Sequence, residues 1–412
     1  MSDSTNFLRY LNKLIVCTQR LFIRIIVLIL FQQIRNIRLA EVGRVLVVKS
    51  GGLGDFLFGV PAFNLLRDRV QESDIDLLTY TSFSYGHKRD NEKKKIAGLP
   101  WLNLVEHLFS SVYVLDGPLL NSILKLRKHF KLQQYSNVIL MPCPGEPCFT
   151  TIKKLFFIRA LGLKKCHVHG IRQNYSTAFL RKFHEQWGLA QHKIYGPWRA
   201  VEEFLSQNIE ISESYLPLQL KKISVDSKPS AIELLQRLDI DTKHYVLISP
   251  GTISEWKNWS LENYRKLVMK LAPILKEQHI AILIAGPSTD SVLAEVLKID
   301  DNIFDICGAY TIFELAILHQ ESICSVAVDG GAAHLAAFSG ANLVSLSNGG
   351  EEPGIVTPVG PKVVELRNLT YCTPCFGMSF CPLGHSKCIR DIKVGEVLSS
   401  IMSVVKTELK ST

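Results

Sequence analysis

The chain has 412 residues, of which 47% are hydrophobic, and a formal net charge of +9. This length is sufficient for two domains, and the hydrophobic fraction excludes an intrinsically disordered chain. The positive charge favours partners with phosphate or other acidic groups, but no recognisable nucleic-acid-binding module is present, so we predict no nucleic-acid partner. No secretory signal with a small-residue cleavage site is evident, which predicts a cytoplasmic, reducing environment with free thiols.

The first 42 residues differ in composition from the rest. No acidic residue lies between Asp3 and Glu41. The bases of this stretch are Arg9, Lys13, Arg20, Arg24, Arg35 and Arg38. Among them lie the apolar residues 21–23 and, after Arg24, the uninterrupted apolar run 25–31, which is shorter than the ~20 residues that a transmembrane helix needs. A basic, apolar helix suits an anionic membrane surface. We therefore predict that residues 1–42 associate with a membrane; the alternative is a helix docked on the protein's own core.

The first predicted strand, Arg44–Lys49, is apolar enough to be buried on both faces. It ends in the loop Ser50-Gly51-Gly52-Leu53-Gly54-Asp55, and residues 56–69 are predicted to form one helix. The loop lacks the third glycine of a dinucleotide-binding motif and the lysine and hydroxyl of a P-loop, so neither chemistry is assigned. It presents Asp55 at the carboxyl edge of a parallel sheet, where ligands bind; alternatively, Asp55 only caps the helix.

The rest of the first half contains further strands and a basic loop. Strands are predicted at residues 75–80 and 137–141, with an edge segment at 168–174 and a helix at 197–205. Polar residues from about 206 to 232 are predicted to form a linker. The loop that contains Lys88 and Arg89 is typical of solvated surface, but in a cleft it can hold acceptor phosphates.

A second βα series follows the linker. Ser260 is predicted to cap the helix Leu261–Leu275, Thr311 opens another helix, and Glu396–Lys406 forms the last one. The predicted strands are residues 245–249, 280–285, 303–307, 323–328 and 343–346, of which the last closes the sheet.

The strongest motif of the second half is Asp329-Gly330-Gly331-Ala332-Ala333-His334, between a buried strand and a helix. Two glycines let the backbone approach a ligand, and the first N–H groups of the helix suit an anionic group such as a diphosphate. Asp329 can accept hydrogen bonds from ligand hydroxyls. A diphosphate and a polyol at one site indicate a nucleotide sugar; the alternative is a tight turn with Asp329 as the helix N-cap.

Two βα series joined by a linker predict an α/β protein of two doubly wound, Rossmann-like domains that face a central cleft. We place the N-terminal domain at residues 43–215 and the C-terminal domain at 233–395. Residues 396–412 are predicted to be a C-terminal helix and tail.

With these motifs in place, the chain resembles the ADP-heptose:lipopolysaccharide heptosyltransferases, glycosyltransferase family 9, of the GT-B fold. The resemblance covers roughly residues 43–395 and rests on four groups of residues in the family's order. These are residues 47–55 with Pro61-Ala62; Ser249-Pro250-Gly251 with residues 256–259; residues 329–336; and Cys372-Thr373-Pro374-Cys375 with residues 381–385 and Cys388. The resemblance implies inverting sugar transfer without a metal or another cofactor.

Roles for individual residues also follow from the resemblance. Asp55 matches the family's general base, and Lys257 matches the lysine that meets the donor phosphates. The implied donor-binding residues are Ser249, Gly251, Lys257, Asp329, Gly330, Gly331 and His334. The acceptor-side candidates, in the N-terminal domain, are Gly51, Gly52, Gly54, Lys88 and Arg89.

The implied reaction transfers a sugar, most directly heptose from ADP-heptose, to a hydroxyl of a lipopolysaccharide core or a related glycolipid or glycan. The enzyme would then be peripheral to the cytoplasmic face of the inner membrane. Residues 142–147 depart from the family's acceptor-side sequence, and Pro287-Ser288-Thr289 replaces a glutamate that contacts the ribose in one branch. The sequence therefore leaves the nucleotide and the sugar open. A catalytically silent relative that binds nucleotide sugar or scaffolds an assembly complex is the alternative, but Asp55 and Lys257 favour the enzyme.

Four cysteines lie close together in the sequence: Cys372, Cys375, Cys381 and Cys388. The first pair has zinc-ligand spacing and His385 is nearby, but the second pair is spaced too widely for a regular zinc ribbon. Packed free thiols are the favoured interpretation. A zinc site and a redox disulfide remain the alternatives.

Overall fold

The computed structural model describes residues 18–19, 21–31, 43–70, 74–80, 99–115, 123–124, 126–127, 130, 134–141, 148–163, 166–171, 192–218, 227–252, 254–375 and 380–411. The chain forms two compact units. Unit 1 comprises Met1–Leu99 and Val105–Tyr215, and unit 2 comprises Pro100–Leu104 and Leu216–Thr412. Lys88, Arg89 and residues 142–147 lie outside the described residues.

Unit 1 contains a parallel sheet whose strands are β1 Val45–Lys49, β2 Ile75–Tyr80, β3 Ser111–Leu115, β4 Asn137–Met141 and β5 His167–His169. Their spatial order is β3-β2-β1-β4-β5. The central strands β1 and β4 are buried along their whole length, as their apolar sequences predict. The sequence analysis omitted β3, an edge strand whose side chains are mostly half-buried. The strand order reverses between β1 and β4, so their carboxyl ends border the edge at which doubly wound sheets bind ligands.

The described helices of unit 1 are α1 (residues 21–31), α2 Leu53–Leu57, α3 Val60–Arg69, α4 Cys148–Ala160 and α5 Tyr195–Leu205. The prediction of one helix over residues 56–69 was wrong, because the chain breaks at Phe58 and Gly59 and restarts at Val60. Pro61 is the physical reason. Proline has no N–H and clashes with the preceding turn inside a helix, but it is well suited to the first turn of a new one.

Helix α1 packs on the core of unit 1. Ile23, Val27 and Phe31, which recur every four residues, are buried among the side chains of the sheet and of α4. The described part of the N-terminal segment therefore docks on the protein's own core, the alternative given above, while membrane association stays a prediction. Among the residues that the structure describes, no helix is both long and apolar enough to cross a membrane.

Unit 2 contains a six-stranded parallel sheet. Its strands are β6 Tyr245–Ser249, β7 Ala281–Ile284, β8 Ile303–Asp305, β9 Cys324–Val328, β10 Leu343–Ser347 and β11 Val363–Arg367. Their spatial order is β11-β10-β9-β6-β7-β8. The prediction that residues 343–346 close the sheet was wrong, because β11 pairs outside β10. Strand β11 escaped prediction because it is a half-exposed edge strand without an apolar run.

Two helices of unit 2 begin where the predicted capping residues, Ser260 and Thr311, place them. The described helices of this unit are α6 Ser227–Arg237, α7 Leu261–Lys276, α8 Ser291–Leu297, α9 Ile312–Gln320, α10 Gly331–Phe338, α11 Lys387–Arg390 and α12 Val394–Ser411. Ser260 accepts a hydrogen bond from Asn263 N at the start of α7, and Thr311 forms a capping box with Glu314 at the start of α9. Helix α12 buries Val397, Ile401 and Val405 in the core of this unit.

His319 on α9 makes the stability of unit 2 depend on pH. Its ring is buried, with Nδ1 2.9 Å from Ser325 Oγ, and Nε2 has no hydrogen-bond partner among the described residues. Burial lowers the pKa of His319 from 6.5 to about 3. The unfolded chain therefore takes up this proton near pH 6.5 and the folded chain only near pH 3. The free energy of unfolding therefore keeps its full value above pH 6.5 and decreases as the pH drops from 6.5 toward about 3.

We expect the unfolding temperature to fall more steeply from about pH 8 to about pH 5 in the unchanged protein than in His319→Asn, which cannot be protonated there. The difference in free energy should grow by up to about 1.4 kcal/mol per pH unit below the ordinary histidine pKa. Differential scanning calorimetry measures it. The exposed His244 supplies the control, because His244→Asn should keep the steep dependence. Parallel curves for His319→Asn and the unchanged protein would contradict this account.

Candidate functional site

The carboxyl ends of β6 and β9 meet at the centre of the unit 2 sheet, where the strand order reverses. This is the topological switch point at which doubly wound sheets bind ligands. Three segments follow strands at this edge: residues 250–259 after β6, residues 329–331 after β9, and residues 348–351 after β10. The first two were predicted to bind a donor; the third was not.

Asp329 is the best-connected side chain at this edge. Its side chain is 8% exposed, and Oδ2 accepts hydrogen bonds from Lys257 Nζ at 3.3 Å and Asn348 Nδ2 at 2.8 Å. His334 Nε2 lies 3.8 Å from Oδ1. The N-cap of α10 is Gly330, and no side chain caps this helix. Asp329 therefore does not act as the N-cap; it collects polar groups from three neighbouring segments.

Lys257 lies at the end of a short 3₁₀ turn, Glu255–Lys257, and its side chain is 30% exposed. Its Nζ is 5.6 Å from the centre of the Trp256 ring. The surrounding loop is fixed by Asn258 Oδ1, which accepts from Thr252 N at 3.0 Å, and by buried Trp259, whose Nε1 donates to Ile392 O. A lysine on a fixed loop, close to one carboxylate and still partly open to solvent, is well placed to meet an incoming anion.

Gly330 precedes the first turn of α10. Gly330 has an extended backbone, with φ of −179°, which any residue can adopt. A Cβ atom placed there would meet Thr252 Cγ2 at an ordinary 3.4 Å. The fold therefore does not itself require glycine at this position, and the first N–H groups of a helix suit an anionic group.

The segment after β10 is the part of the site that the sequence analysis missed. Asn348 donates to Asp329, and Asn348 Oδ1 accepts from Gly350 N at 2.7 Å. Arg367 Nη1 donates to the carbonyl oxygens of Asn348 and Glu351 at 3.0 and 2.9 Å. A signal was present, because Asn348-Gly349-Gly350 follows a buried strand just as Asp329-Gly330-Gly331 does.

A second carboxylate, also missed, lies beside the first loop. Asp290 precedes α8, and its Oδ2 lies so close to the backbone of Gly251 and Gly286 that a Cβ there would approach it to 2.3 and 2.7 Å. A larger residue at Gly251 would displace the Asp290 carboxylate, and one at Gly286 would also press on Asp290 Cβ, at 2.8 Å. Burial raises the pKa of Asp290 above its ordinary value. Tyr310 Oη donates to Gly286 O at 2.9 Å and holds the same turn. This carboxylate stands next to the Pro287-Ser288-Thr289 sequence in which the family's glutamate is absent.

In unit 1, Asp55 lies in the first turn of α2 with its side chain 34% exposed. The N-cap of α2 is Gly52, and no side chain caps the helix, so Asp55 is not a capping residue. Lys193, which the sequence analysis missed, places Nζ 4.0 Å from Asp55 Oδ1. Gly51 has a φ of +137°, and a Cβ there would lie 2.8 Å from Asp55 Cβ. The loop geometry thus fixes where the carboxylate lies.

The sequence model of glycosyltransferase family 9 (heptosyltransferase) matches residues 123–385. No curated protein sequence matches the chain.

Solved structures share the fold at low identity. A family 9 glycosyl transferase from Veillonella parvula DSM 2008 aligns with a TM-score of 0.64 and 15% identity, over 88% of this chain and 97% of its own. The ADP-heptose lipopolysaccharide heptosyltransferase II of E. coli aligns with a TM-score of 0.57 and 15% identity, over 89% and 99%. The iron-containing dodecameric glycosyltransferase TibC of enterotoxigenic E. coli H10407 aligns at 0.51 and 12%, over 89% and 77%. The predicted α/β class and GT-B fold are confirmed.

In the cysteine-rich loop after β11, Cys372, Cys375, Cys381 and Cys388 form no disulfide. Cys375 Sγ donates to Cys372 O at 3.6 Å, and burial raises the pKa of Cys375 above its ordinary value. The residues that the structure describes include no three histidine, cysteine or acidic side chains placed to hold a metal. The loop packs against the segment after β10, where Cys375 N donates to Gly349 O at 2.9 Å.

The glycine pair before Asp55 gives a direct test of the loop geometry. We expect Gly51→Ala to destabilise the protein by about 1–3 kcal/mol, because alanine is strained at this φ and collides with Asp55. Gly52→Ala is the matched control: a Cβ there meets nothing within 4 Å, so the change should stay within about 0.5 kcal/mol. Urea denaturation measures both. Equal stability of the two variants would show that the loop does not hold Asp55 in this way.

Proposed function

This chain belongs to glycosyltransferase family 9 and is a glycosyltransferase, and on that basis we propose that it transfers heptose from ADP-heptose to a hydroxyl of a lipopolysaccharide core or a related glycan. The observation that carries the proposal is the Asp329–Lys257 pair in front of the N-terminus of α10. Two neighbours in fold support the donor: one is named an ADP-heptose lipopolysaccharide heptosyltransferase, and another was solved with ADP. We also propose that the enzyme is cytoplasmic and peripheral to the inner membrane, where a glycolipid acceptor is found.

The donor diphosphate is proposed to lie between Lys257 Nζ and the first N–H groups of α10. Breaking the sugar–diphosphate bond leaves negative charge on the departing nucleoside diphosphate, and an ammonium together with oriented N–H groups stabilises that charge. Lys257 reaches this position by a short movement of a side chain that is already partly exposed. Asp329, held by Asn348, then accepts hydrogen bonds from hydroxyl groups of the donor.

Asp290 is proposed to contact the nucleoside. It lies beside Gly251 and Gly286 at the ends of β6 and β7, next to the switch point. A ribose presents two hydroxyl donors, and a carboxylate accepts both. Asp290 would thus supply the function of the glutamate that is absent from residues 287–289. With this role for Asp290, ADP remains the proposed nucleotide of the donor, although residues 287–289 lack the family's glutamate.

Asp55 is proposed to be the general base. The acceptor hydroxyl oxygen attacks the anomeric carbon, Asp55 takes the hydroxyl proton, and the bond to the phosphate oxygen breaks with its electron pair leaving on the nucleoside diphosphate. A single displacement of this kind inverts the anomeric centre. Lys193, 4.0 Å from Asp55, adds a cation suited to anionic groups of the acceptor. The charges that assist departure come from Lys257 and α10, so we propose that no metal is needed.

Donor affinity should depend on Lys257 and on Asp290 in different ways. We expect Lys257→Ala to weaken calorimetric binding of ADP-heptose by about ten- to a hundredfold, because a charge-assisted contact is lost. Asp290→Asn should weaken ADP-heptose binding but leave the affinity for pyrophosphate unchanged. Lys266→Ala is the control, since Lys266 pairs with Glu262 on the exposed face of α7. A thermal-shift screen of ADP-, GDP-, UDP- and CMP-sugars should select ADP.

Unchanged affinity for ADP-heptose in Lys257→Ala would place the diphosphate elsewhere and remove the basis of the donor site. Preference for another nucleotide, with Lys257 still required, would keep the site but reject ADP and the ribose role of Asp290.

Sugar transfer should depend on Asp55 without any effect on donor binding. We expect Asp55→Asn to lower the transfer rate by roughly 10²–10⁴-fold, the range for a lost general base, and to remove the acidic limb of the pH profile. Asparagine keeps the shape of the side chain, and Asp55 does not cap α2, so the unfolding temperature should be unchanged. Transfer near the native rate, measured by nucleoside diphosphate release with acceptor present, would show that Asp55 is not the base.

A further inference from the structure

Helix α1 is apolar on both of its sides. Ile23, Val27 and Phe31 pack into the core of unit 1. On the remaining surface the helix exposes five large apolar side chains, each by 46–72%: Leu21, Phe22, Ile25, Leu28 and Ile29. A surface helix of a soluble domain normally has polar residues there. A contiguous apolar surface of this kind marks an interaction site.

Two further helical segments extend this surface. Helix α4 exposes Phe149 by 62% and Phe156 by 55%, and the helical residue Leu124 is 64% exposed. All three segments pack on one core cluster, whose strand residues include Leu46 and Val48 of β1 and Val138 and Leu140 of β4. Since alternate residues of a strand point to the same side, these segments cover one face of the sheet. Their outer surfaces therefore face in the same direction.

The charges on this surface are all positive. The described parts of the three segments expose Arg24, Arg127 and Lys153, and Lys153 Nζ lies 4.6 Å from the centre of the Phe149 ring. The sequence around them contains no acidic residue in 4–40, 117–145 or 147–184. An apolar surface whose charged side chains are all basic is complementary to a layer of anionic lipid.

We propose that the outer surface of α1, of the described helical residues 123, 124, 126 and 127 and of α4 lies in the interface of an anionic bilayer. The side chains that enter the apolar layer are Leu21, Phe22, Ile25, Leu28, Ile29, Leu124, Phe149 and Phe156. The proposed membrane-binding surface is larger than the basic N-terminal segment, because it includes α4. Because Ile23, Val27 and Phe31 fix α1 to the core, the membrane binds a rigid face of the folded unit, and a flat bilayer meets all three segments together. This membrane contact does not depend on the donor or on the chemistry proposed above.

The test uses the full chain and sedimentation with vesicles of equal parts phosphatidylglycerol and phosphatidylcholine. The decisive variant is Phe149→Ser with Phe156→Ser, because α4 lies outside the N-terminal segment. We expect it to bind at least roughly tenfold more weakly, since two phenylalanine side chains leave the apolar layer. The control is Met269→Ser with Val292→Ser, which changes two exposed apolar residues of unit 2 and should bind normally. Vesicles of phosphatidylcholine alone should bind weakly to all.

Hydrogen exchange on the unchanged protein gives a second measurement that needs no variant: vesicles should protect both residues 21–31 and residues 149–160. Normal vesicle binding by the α4 variant, or protection confined to residues 21–31, would overturn the composite face. A change in the oligomeric state of the α4 variant, seen by light scattering without any change in vesicle binding, would assign the face to a second copy of the chain and also overturn the proposal.

Discussion

The candidate donor site depends on the buried carboxylate of Asp329. A carboxylate that is only 8% exposed is costly to bury unless donors surround it. Here the donors come from different segments: Lys257 from the loop after β6 and Asn348 from the segment after β10. These contacts tie three strand ends together at the switch point of the sheet. If a donor diphosphate bound Lys257 and broke its hydrogen bond to Asp329, the bond from Asn348 would remain. The carboxylate would therefore keep a hydrogen-bond donor.

The sequence predicted the frame of this site well and its side-chain contacts poorly. Buried parallel strands have a recognisable apolar composition, so β6 and β9 and the turn at Asp329 could be located from local residues alone. The contacts of Asn348 with Asp329 and of Asp290 with Gly251 could not, because these partners are distant in sequence and are brought close only by the strand order β10-β9-β6-β7. The same holds in unit 1, where Lys193 lies near Asp55 although the two are 138 positions apart in the sequence, a separation that no local pattern reveals.

Helix α1 shows a different limit of sequence reasoning. A helix that is apolar all round has no periodicity from which to choose a buried side, and its composition suits both a protein core and a membrane surface. Sequence analysis posed these as alternatives. The structure shows that one side packs on the core while the other keeps its apolar side chains exposed. The two interpretations are therefore compatible, since they concern different sides of one helix.

The architecture of unit 1 also relates the proposed membrane face to the proposed base. The segments that form this face cover one side of the sheet, whereas Asp55 follows the carboxyl end of β1. The carboxyl edge of a sheet is a border between its two faces. A bilayer that contacts one face therefore leaves this edge uncovered. A glycolipid anchored in the same bilayer would then need to extend its glycan only around the border of the unit to bring a hydroxyl to Asp55. A rigid membrane face, as we propose it, would thus fix the orientation of the edge at which a lipid-linked acceptor is proposed to bind.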